Sequence, residues 1–304
     1  MKIVFMGTPA FAVPSLEILI KNRYDIAAAV TQPDRPKGRG GALSASPVKE
    51  FAVKHGIQVL QFEKIGKEGA EILKKLAPDL VVTAAYGQLL TQELIDIPKY
   101  GIINVHASLL PKYRGAAPIQ RAIINGEKIT GVTIMKTELS LDSGDILLQK
   151  TTPIGADETS GELFERLSHI GAEALYSAVE SIKNGTAVYT KQDSSAATYF
   201  KSIKKDDAAI DFNRKADEIV DFVRGMNPNP TAFTQINGSN VKVYKAAARY
   251  GDYSVYNIGD IVFADKKNGL IIAVGHGAVR LEEIQFPNGK KMSDTAYLAG
   301  HSIL

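Results

Sequence analysis

Lys2-Ile-Val-Phe-Met6, then Gly7-Thr-Pro9, then Phe11-Ala-Val-Pro-Ser-Leu-Glu-Ile-Leu-Ile-Lys21, then Tyr24-Asp-Ile-Ala-Ala-Ala-Val-Thr31 succeed one another at the start of the chain, and their order decides the fold. After its lysine the first run is wholly apolar and short, the pattern of a strand buried on both faces. Gly7-Thr-Pro9 reads as a turn, and Phe11 to Lys21 as a helix. Pro14 fits only in the first turn of that helix, where its missing N–H and fixed φ do no harm. Tyr24 to Thr31 is then a second strand. The unit repeats: Pro47 to His55 reads as a helix, Ile57 to Leu60 as a short strand, and Glu68 to Leu76 as a helix. Leu80-Val-Val-Thr83 and Gly101-Ile-Ile-Asn-Val105 have the length and composition of central strands. Strands alternating with helices predict an α/β fold with a mainly parallel sheet covered on both faces. Ligands of such sheets bind beyond the carboxyl ends of the strands, where Asn104 and His106 stand.

Downstream the pattern changes. A helical repeat through Leu163, Leu167, Ile170, Ala174 and Val179 runs to Lys183 and stops at Asn184-Gly185. Thr190 to Lys205 has little periodicity and reads as a linker. A helix over Ala216 to Arg224 ends before Asn227-Pro-Asn-Pro230. Five short strands follow, Thr231 to Gln235, Val241 to Ala247, Asp260 to Ala264, Gly269 to Val274 and Ala278 to Gln285, with Asn-Gly turn signals among them. They suggest a small β-barrel. The expected division is 1–189, a linker over 190–206, and 207–304.

Bulk properties agree with two domains and narrow the chemistry. The chain has 304 residues, 45% hydrophobic and 23% charged, as in an ordinary globular enzyme. It has no cysteine, which excludes disulfides, thiolate nucleophiles and cysteine zinc sites. The N-terminus lacks the long apolar stretch of a signal peptide, and no run is long enough to span a bilayer, so a cytoplasmic location is expected. A net charge of +3 is too slight to argue nucleic-acid binding from global electrostatics. From Asp207 onward Lys/Arg and Asp/Glu are equal in number.

Gly7 stands without the Gly-x-Gly-x-x-Gly spacing that lets a pyrophosphate approach the backbone, so a nicotinamide dehydrogenase is disfavoured. There is no Gly-rich phosphate loop ending in Lys-Ser/Thr. His55, His106, His169, His276 and His301 show no ligand spacing, and no metal is expected. Asn104 and His106 are alternate residues of an extended segment and face the same side. By themselves they fit a hydrogen-bonded histidine at a sheet edge beside a turn former. Asp142, in Leu141-Asp-Ser-Gly-Asp145, equally fits plain turn chemistry.

Longer motifs shift that balance. Asn104-Val-His106, Ser108-Leu-Leu-Pro-Lys-Tyr-Arg-Gly-Ala-Ala-Pro-Ile119 and Leu141-Asp-Ser-Gly-Asp145 together resemble the signature of the folate-dependent formyltransferases. Thr31-Gln-Pro-Asp-Arg-Pro-Lys-Gly-Arg-Gly40, Ser46-Pro-Val-Lys49 and Arg114-Gly-Ala-Ala-Pro118 resemble the branch of that family that acts on initiator methionyl-tRNA. The likeness spans essentially the whole chain. It implies a Rossmann-like N-terminal domain, an OB-like C-terminal barrel, 10-formyltetrahydrofolate as formyl donor, the acceptor stem of initiator tRNA as partner, and a monomer. Attack of an amine on a formyl carbon develops an oxyanion, for which Asn104 and protonated His106 are suitable donors. Asp142 suits the proton transfers from the attacking amine and to the departing folate nitrogen.

The resemblance also carries the donor site onto Ser108, Leu109, Leu110 and Pro111, and onto the Tyr86, Gly87, Gln88 and Leu89 loop. It puts Arg35, Lys37, Arg39 and Arg114 at the tRNA, with Lys204 and Lys205 as further candidates. Arginine suits that work because its planar group binds phosphate bidentately and stacks on bases. The loop departs from its relatives at Gly41-Ala42, where lysines are expected, so it is less basic than the family pattern. Two other readings share part of the pattern: a formyltransferase acting on an amino sugar nucleotide, and a noncatalytic RNA-binding protein. The Thr31 to Gly40 loop disfavours the first, and the intact Asn104, His106 and Asp142 set disfavours the second.

Overall fold

The computed structural model describes residues 1–37 and 41–303, with Lys37 described in its backbone alone. They fall into two compact units: Met1–Gly115, Thr130–Pro153 and Phe164–Tyr199 in the first, and Ala116–Ile129, Ile154–Leu163 and Phe200–Leu304 in the second. Each unit draws on several stretches of chain, whereas the sequence suggests consecutive domains.

The first unit is built on a seven-stranded sheet. Its strands are β1 (Lys2–Gly7), β2 (Asp25–Thr31), β3 (Val59–Gln61), β4 (Leu80–Ala84), β5 (Ile102–His106), β6 (Ile129–Lys136) and β7 (Ile146–Pro153), in the order β7-β6-β5-β4-β1-β2-β3. The five strands from β1 to β5 pair in parallel, and β6 runs antiparallel to β5. After β1 the chain builds outward through β2 and β3, then crosses to β4 and β5 on the other side. The order therefore reverses between β1 and β4, the crevice where open α/β sheets take ligands. Gly7 ends β1 there. A Cβ on it would lie 2.7 Å from the Ala12 Cβ and 3.0 Å from the Ala84 oxygen, so only glycine lets the strand, the following turn and β4 close up.

Helices cover both faces, with α1 (Val13–Lys21), α2 (Pro47–Lys54), α3 (Gly66–Leu76) and α4 (Gln92–Ile95) coming after β1, β2, β3 and β4 in turn. On one face, Val4, Met6, Val30, Val81 and Ile102 pack with Ala70 and Leu73 of α3 and Leu94 of α4. On the other, Gly171 of the long helix Ser160–Lys183 lies against Val105, where a Cβ would come within 2.9 Å of Val105 Cγ1. By the two-residue period of a strand, Asn104 and His106 share the face of Ile102.

The second unit holds an antiparallel sheet in the order β8 (Ala232–Ile236), β9 (Ser239–Arg249), β12 (Ala278–Gln285), β11 (Gly269–Ala273), β10 (Ile261–Asp265), with Met292–Ser293 added to β12. Ile219, Val223 and Met226 of the helix Ala216–Met226 pack on Val241, Val243, Leu281 and Ile284. The helix Pro118–Ile124 joins the same unit through Gly225, where a Cβ would meet Ile124 Cγ1 at 2.6 Å. Among the described residues no pairing joins β8 to β10, so the sheet is open at that seam. No described helix is long and apolar enough to cross a membrane.

Candidate active site

His106 is the last residue of β5 and is 6% exposed. Its Nε2 lies 3.0 Å from the Tyr113 carbonyl. A carbonyl only accepts, so Nε2 carries the proton and the tautomer is fixed. Nδ1 is then turned toward Asp142, 3.7 Å from Oδ2. That same carboxylate oxygen accepts a 2.7 Å hydrogen bond from the Gly115 N–H. His106 and Asp142 therefore both lean on the short segment Tyr113 to Gly115. Tyr113, Gly115 and Asp142 all have positive φ, 62°, 97° and 48°, a conformation that Tyr and Asp adopt at an energetic cost which the surroundings must offset.

Asn104 lies one turn of the pleat earlier. The Thr83 hydroxyl, on the neighbouring β4, donates to its Oδ1 at 2.8 Å. With the oxygen end occupied, the amide NH2 is the end that can donate to a ligand. Thr83 is the polar residue in an otherwise apolar strand. Its role was visible in the sequence only as that irregularity.

The loop after β5 is closed by internal bonds. The Ser108 hydroxyl donates to the Lys112 carbonyl at 2.7 Å. Thr133 of β6 accepts from the Leu110 N–H at 3.1 Å and donates to the Ser108 carbonyl at 2.7 Å, while Gln149 donates to the Leu110 carbonyl at 2.9 Å. Gly131 makes room for the loop: a Cβ there would meet Leu109 Cδ2 at 2.6 Å and the Lys150 oxygen at 2.1 Å. The Leu110–Pro111 peptide is cis.

The side chains expected at the donor make bonds and packing contacts of their own within the chain. Ser108 is fully buried with its hydroxyl in the turn, so it shapes the loop from within. Gln88 accepts from the Ile65 N–H at 2.8 Å and donates to the Phe62 carbonyl at 2.7 Å, which ties the Tyr86 to Leu89 loop to the residues before α3. Tyr86 is buried in the core beneath α3 and α4, and burial pushes its hydroxyl up to about 12. Leu89 is 83% exposed and Leu109 and Pro111 are half-buried, so each presents apolar surface on its loop.

Arg114, expected at the tRNA, is 2% exposed and its guanidinium is engaged internally. Nε and Nη2 donate to Gln192 Oε1 at 3.2 and 2.7 Å, and Nη1 donates to the Tyr199 hydroxyl at 2.7 Å. These bonds tie the end of the loop after β5 to Gln192 and Tyr199. The other cations fare differently. Arg35 is exposed and pairs with Glu63 at 2.8 Å, and Lys204 and Lys205 are exposed. Arg39 and the side chain of Lys37 lie outside the described residues. The strand Arg35–Lys37 pairs antiparallel with Ala42–Ser44, a hairpin in the segment whose composition alone suggests a solvated loop. At its base Lys49 donates to Asp34 at 2.7 Å and to Gln61 at 2.8 Å, and Gln61 donates to Asp34 at 2.9 Å. Among the described residues no group of three or more His, Asp or Glu is arranged to hold a metal ion.

This site lies in a chain with many relatives. Residues 1–179 match the model of the formyl transferase family and residues 202–302 that of the formyl transferase C-terminal domain. A methionyl-tRNA formyltransferase of Ruminiclostridium cellulolyticum is 47% identical, covering 100% of this chain and 97% of its own. That of Acetivibrio thermocellus is 46% identical with the same coverage. Among solved structures, the N-formyltransferase of Helicobacter canadensis in complex with folinic acid and dTDP-3-aminofucose is similar in fold at 23% identity, with a TM-score of 0.70 over 96% of this chain and 100% of that one. With its two models covering residues 1–179 and 202–302 and relatives 46–47% identical over the full chain, the chain belongs to the formyl transferase family.

Proposed function

We propose that this protein transfers the formyl group of 10-formyltetrahydrofolate to the α-amino group of methionyl initiator tRNA, forming the N-formylmethionyl-tRNA that starts translation. The observation that carries the acceptor is the 47% identity, over the full chain, to a relative with that activity in its name. The observation that supports the chemistry is the convergence of an oriented Asn104 amide, His106 and Asp142 at the carboxyl end of β5.

The amine nitrogen forms a bond to the formyl carbon while the bond to the folate nitrogen breaks, and one proton passes from the amine to that nitrogen. The Asn104 NH2 and a protonated His106 Nδ1 donate to the oxygen as its charge develops, in a site where burial strengthens each hydrogen bond. Asp142 accepts the proton of the attacking amine and returns one to the leaving nitrogen. Leu109, Leu110, Pro111 and the Tyr86, Gly87 and Leu89 segment form the apolar walls for the flat donor, with Ser108 and Gln88 shaping them. Arg35, Lys37 and Arg39 meet the acceptor end of the tRNA, and Lys204 and Lys205 its backbone.

In this reading residues 1–189 carry the catalysis, 190–206 connect, and 207–304 form an OB-like tRNA-binding domain. The protein acts in the cytoplasm as a monomer and uses no metal. The test is formyl transfer by the purified protein, with 10-formyltetrahydrofolate, to methionyl-tRNA and in parallel to an amino sugar nucleotide. Formylmethionyl-tRNA is the expected product. Transfer to the sugar alone, or to neither, overturns the proposal.

A further inference from the structure

We propose that Gln192 is a positioning residue for Asp142, and that Arg114 serves the same end by holding Gln192. This rests on the reading of Asp142 given above.

Gln192 sits in the stretch whose sequence looks like a featureless linker, yet its side chain is bonded at both ends. Its Oε1 takes the two hydrogen bonds from buried Arg114. Its Nε2 donates to the carbonyls of Asp142 at 2.9 Å and Gly144 at 2.8 Å. Those carbonyls flank the left-handed turn that aims the Asp142 carboxylate at His106. Gly144 adds to the constraint, since a Cβ there would lie 2.0 Å from the Lys136 oxygen. A few residues on, Thr198 accepts from the Arg114 N–H through its carbonyl and from the Tyr113 N–H through its hydroxyl, both at 2.8 Å. The segment from Gln192 to Thr198 thus steadies the Asp142 turn on one side and the Tyr113 to Gly115 segment, which both His106 and Asp142 touch, on the other.

The residue type follows from hydrogen-bond inventory. The position must accept from a guanidinium and donate to two carbonyls at once. An amide does both, a carboxylate accepts only, and an ammonium donates only. Gln192→Glu therefore keeps a partner for buried Arg114 while replacing two attractive contacts with carbonyl–carboxylate repulsion, which moves the Asp142 turn. A displacement of about 1 Å at reacting groups costs on the order of 10²-fold in rate.

The experiment is a double-mutant cycle of Gln192→Glu and Asp142→Asn, read as kcat and as KM for the folate donor. Gln192→Glu is expected to lower kcat roughly 10- to 100-fold with KM changed less than about twofold. In the Asp142→Asn background the same change is expected to cost less than about twofold, because there is no carboxylate left to aim. Equal losses in both backgrounds, or wild-type kcat in Gln192→Glu, overturn the inference. If Gln192→Glu folds poorly, Arg114→Lys takes its place: it leaves Gln192 present but loosely held, and a several-fold kcat loss confined to the Asp142 background is expected. Wild-type turnover by Asp142→Asn itself refutes the catalytic reading of that residue. Impairment there without impairment in Gln192→Glu refutes only the positioning role.

Discussion

The turn that carries Asp142 and the hairpin around Arg35 are both short polar loops, and they are built in opposite ways. Around Asp142 the backbone carbonyls are held by Gln192 and the carboxylate by the Gly115 N–H, and Gln192 is itself held by buried Arg114. The Arg35–Lys37 and Ala42–Ser44 hairpin is tied at its base by Asp34, Lys49 and Gln61, and beyond it Arg35 and Leu43 stand out in solvent. The difference matches the work proposed for each loop. Groups that handle protons must be held within fractions of an ångström, whereas a surface that meets a large polyanion works by charge and tolerates adjustment.

Substitutions on the rigid side break the comparison most severely. His106→Asn removes the imidazole that donates to the developing oxyanion and is expected to lower kcat on the order of 10²- to 10³-fold at saturating substrates, with the thermal midpoint little changed. Thr83→Val comes next. It deletes the bond that orients Asn104 and is expected to reduce kcat about tenfold, equivalent to roughly 1.4 kcal/mol, without weakening tRNA binding. A kcat within twofold of wild type would remove Thr83 from the site.

On the adaptable side the effects are smaller and of another kind. Arg35→Ala is expected to weaken tRNA binding modestly and to reduce the slope of log affinity against log salt by about 1, with kcat unchanged. Its exposed pair with Glu63 adds little stability, so the thermal midpoint stays put. An unaltered salt slope would take Arg35 off the tRNA path. The smallest effect concerns pH. The hydrogen bond from Lys49, and after it that from Gln61, holds the Asp34 carboxyl below its ordinary range. A depressed folded-state value means a contribution present above the unfolded value, about 3.9, and lost as pH falls through the folded one. Lys49→Met is therefore expected to let the hairpin base loosen at a higher pH than in wild type, seen as earlier loss of amide protection on acidification. Identical protection profiles would contradict it.

The alternation of strands and helices was legible because central parallel strands are apolar on both faces and stand out in any window. Lys2 to Met6 and Leu80 to Thr83 were found for that reason. β6 and β7 escaped notice because Thr130, Gly131 and Thr133 interrupt one, and the other is a half-exposed strand with polar residues such as Gln149 and Lys150. Those interruptions are functional in the fold: Gly131 admits Leu109, and Thr133 closes the loop after β5. Asn104, His106 and Asp142 were legible only through long motifs, since each alone has a plain structural explanation. The internal bonds of Arg114 and Gln192 are not legible in the sequence for a shared reason. Sequence shows that a side chain is charged or polar, while its partners, distant in sequence by 78 residues here, decide whether it faces solvent.

In the proposed mechanism Asp142 moves protons in formyl transfer and does so from a fixed position. Single-turnover formylation of methionyl-tRNA by Asp142→Asn, at saturating 10-formyltetrahydrofolate and with tRNA affinity measured alongside, tests it most directly. A rate lower by at least about 10²-fold with tRNA affinity unchanged is expected. A wild-type rate, or a loss that vanishes once tRNA is saturating, would contradict it.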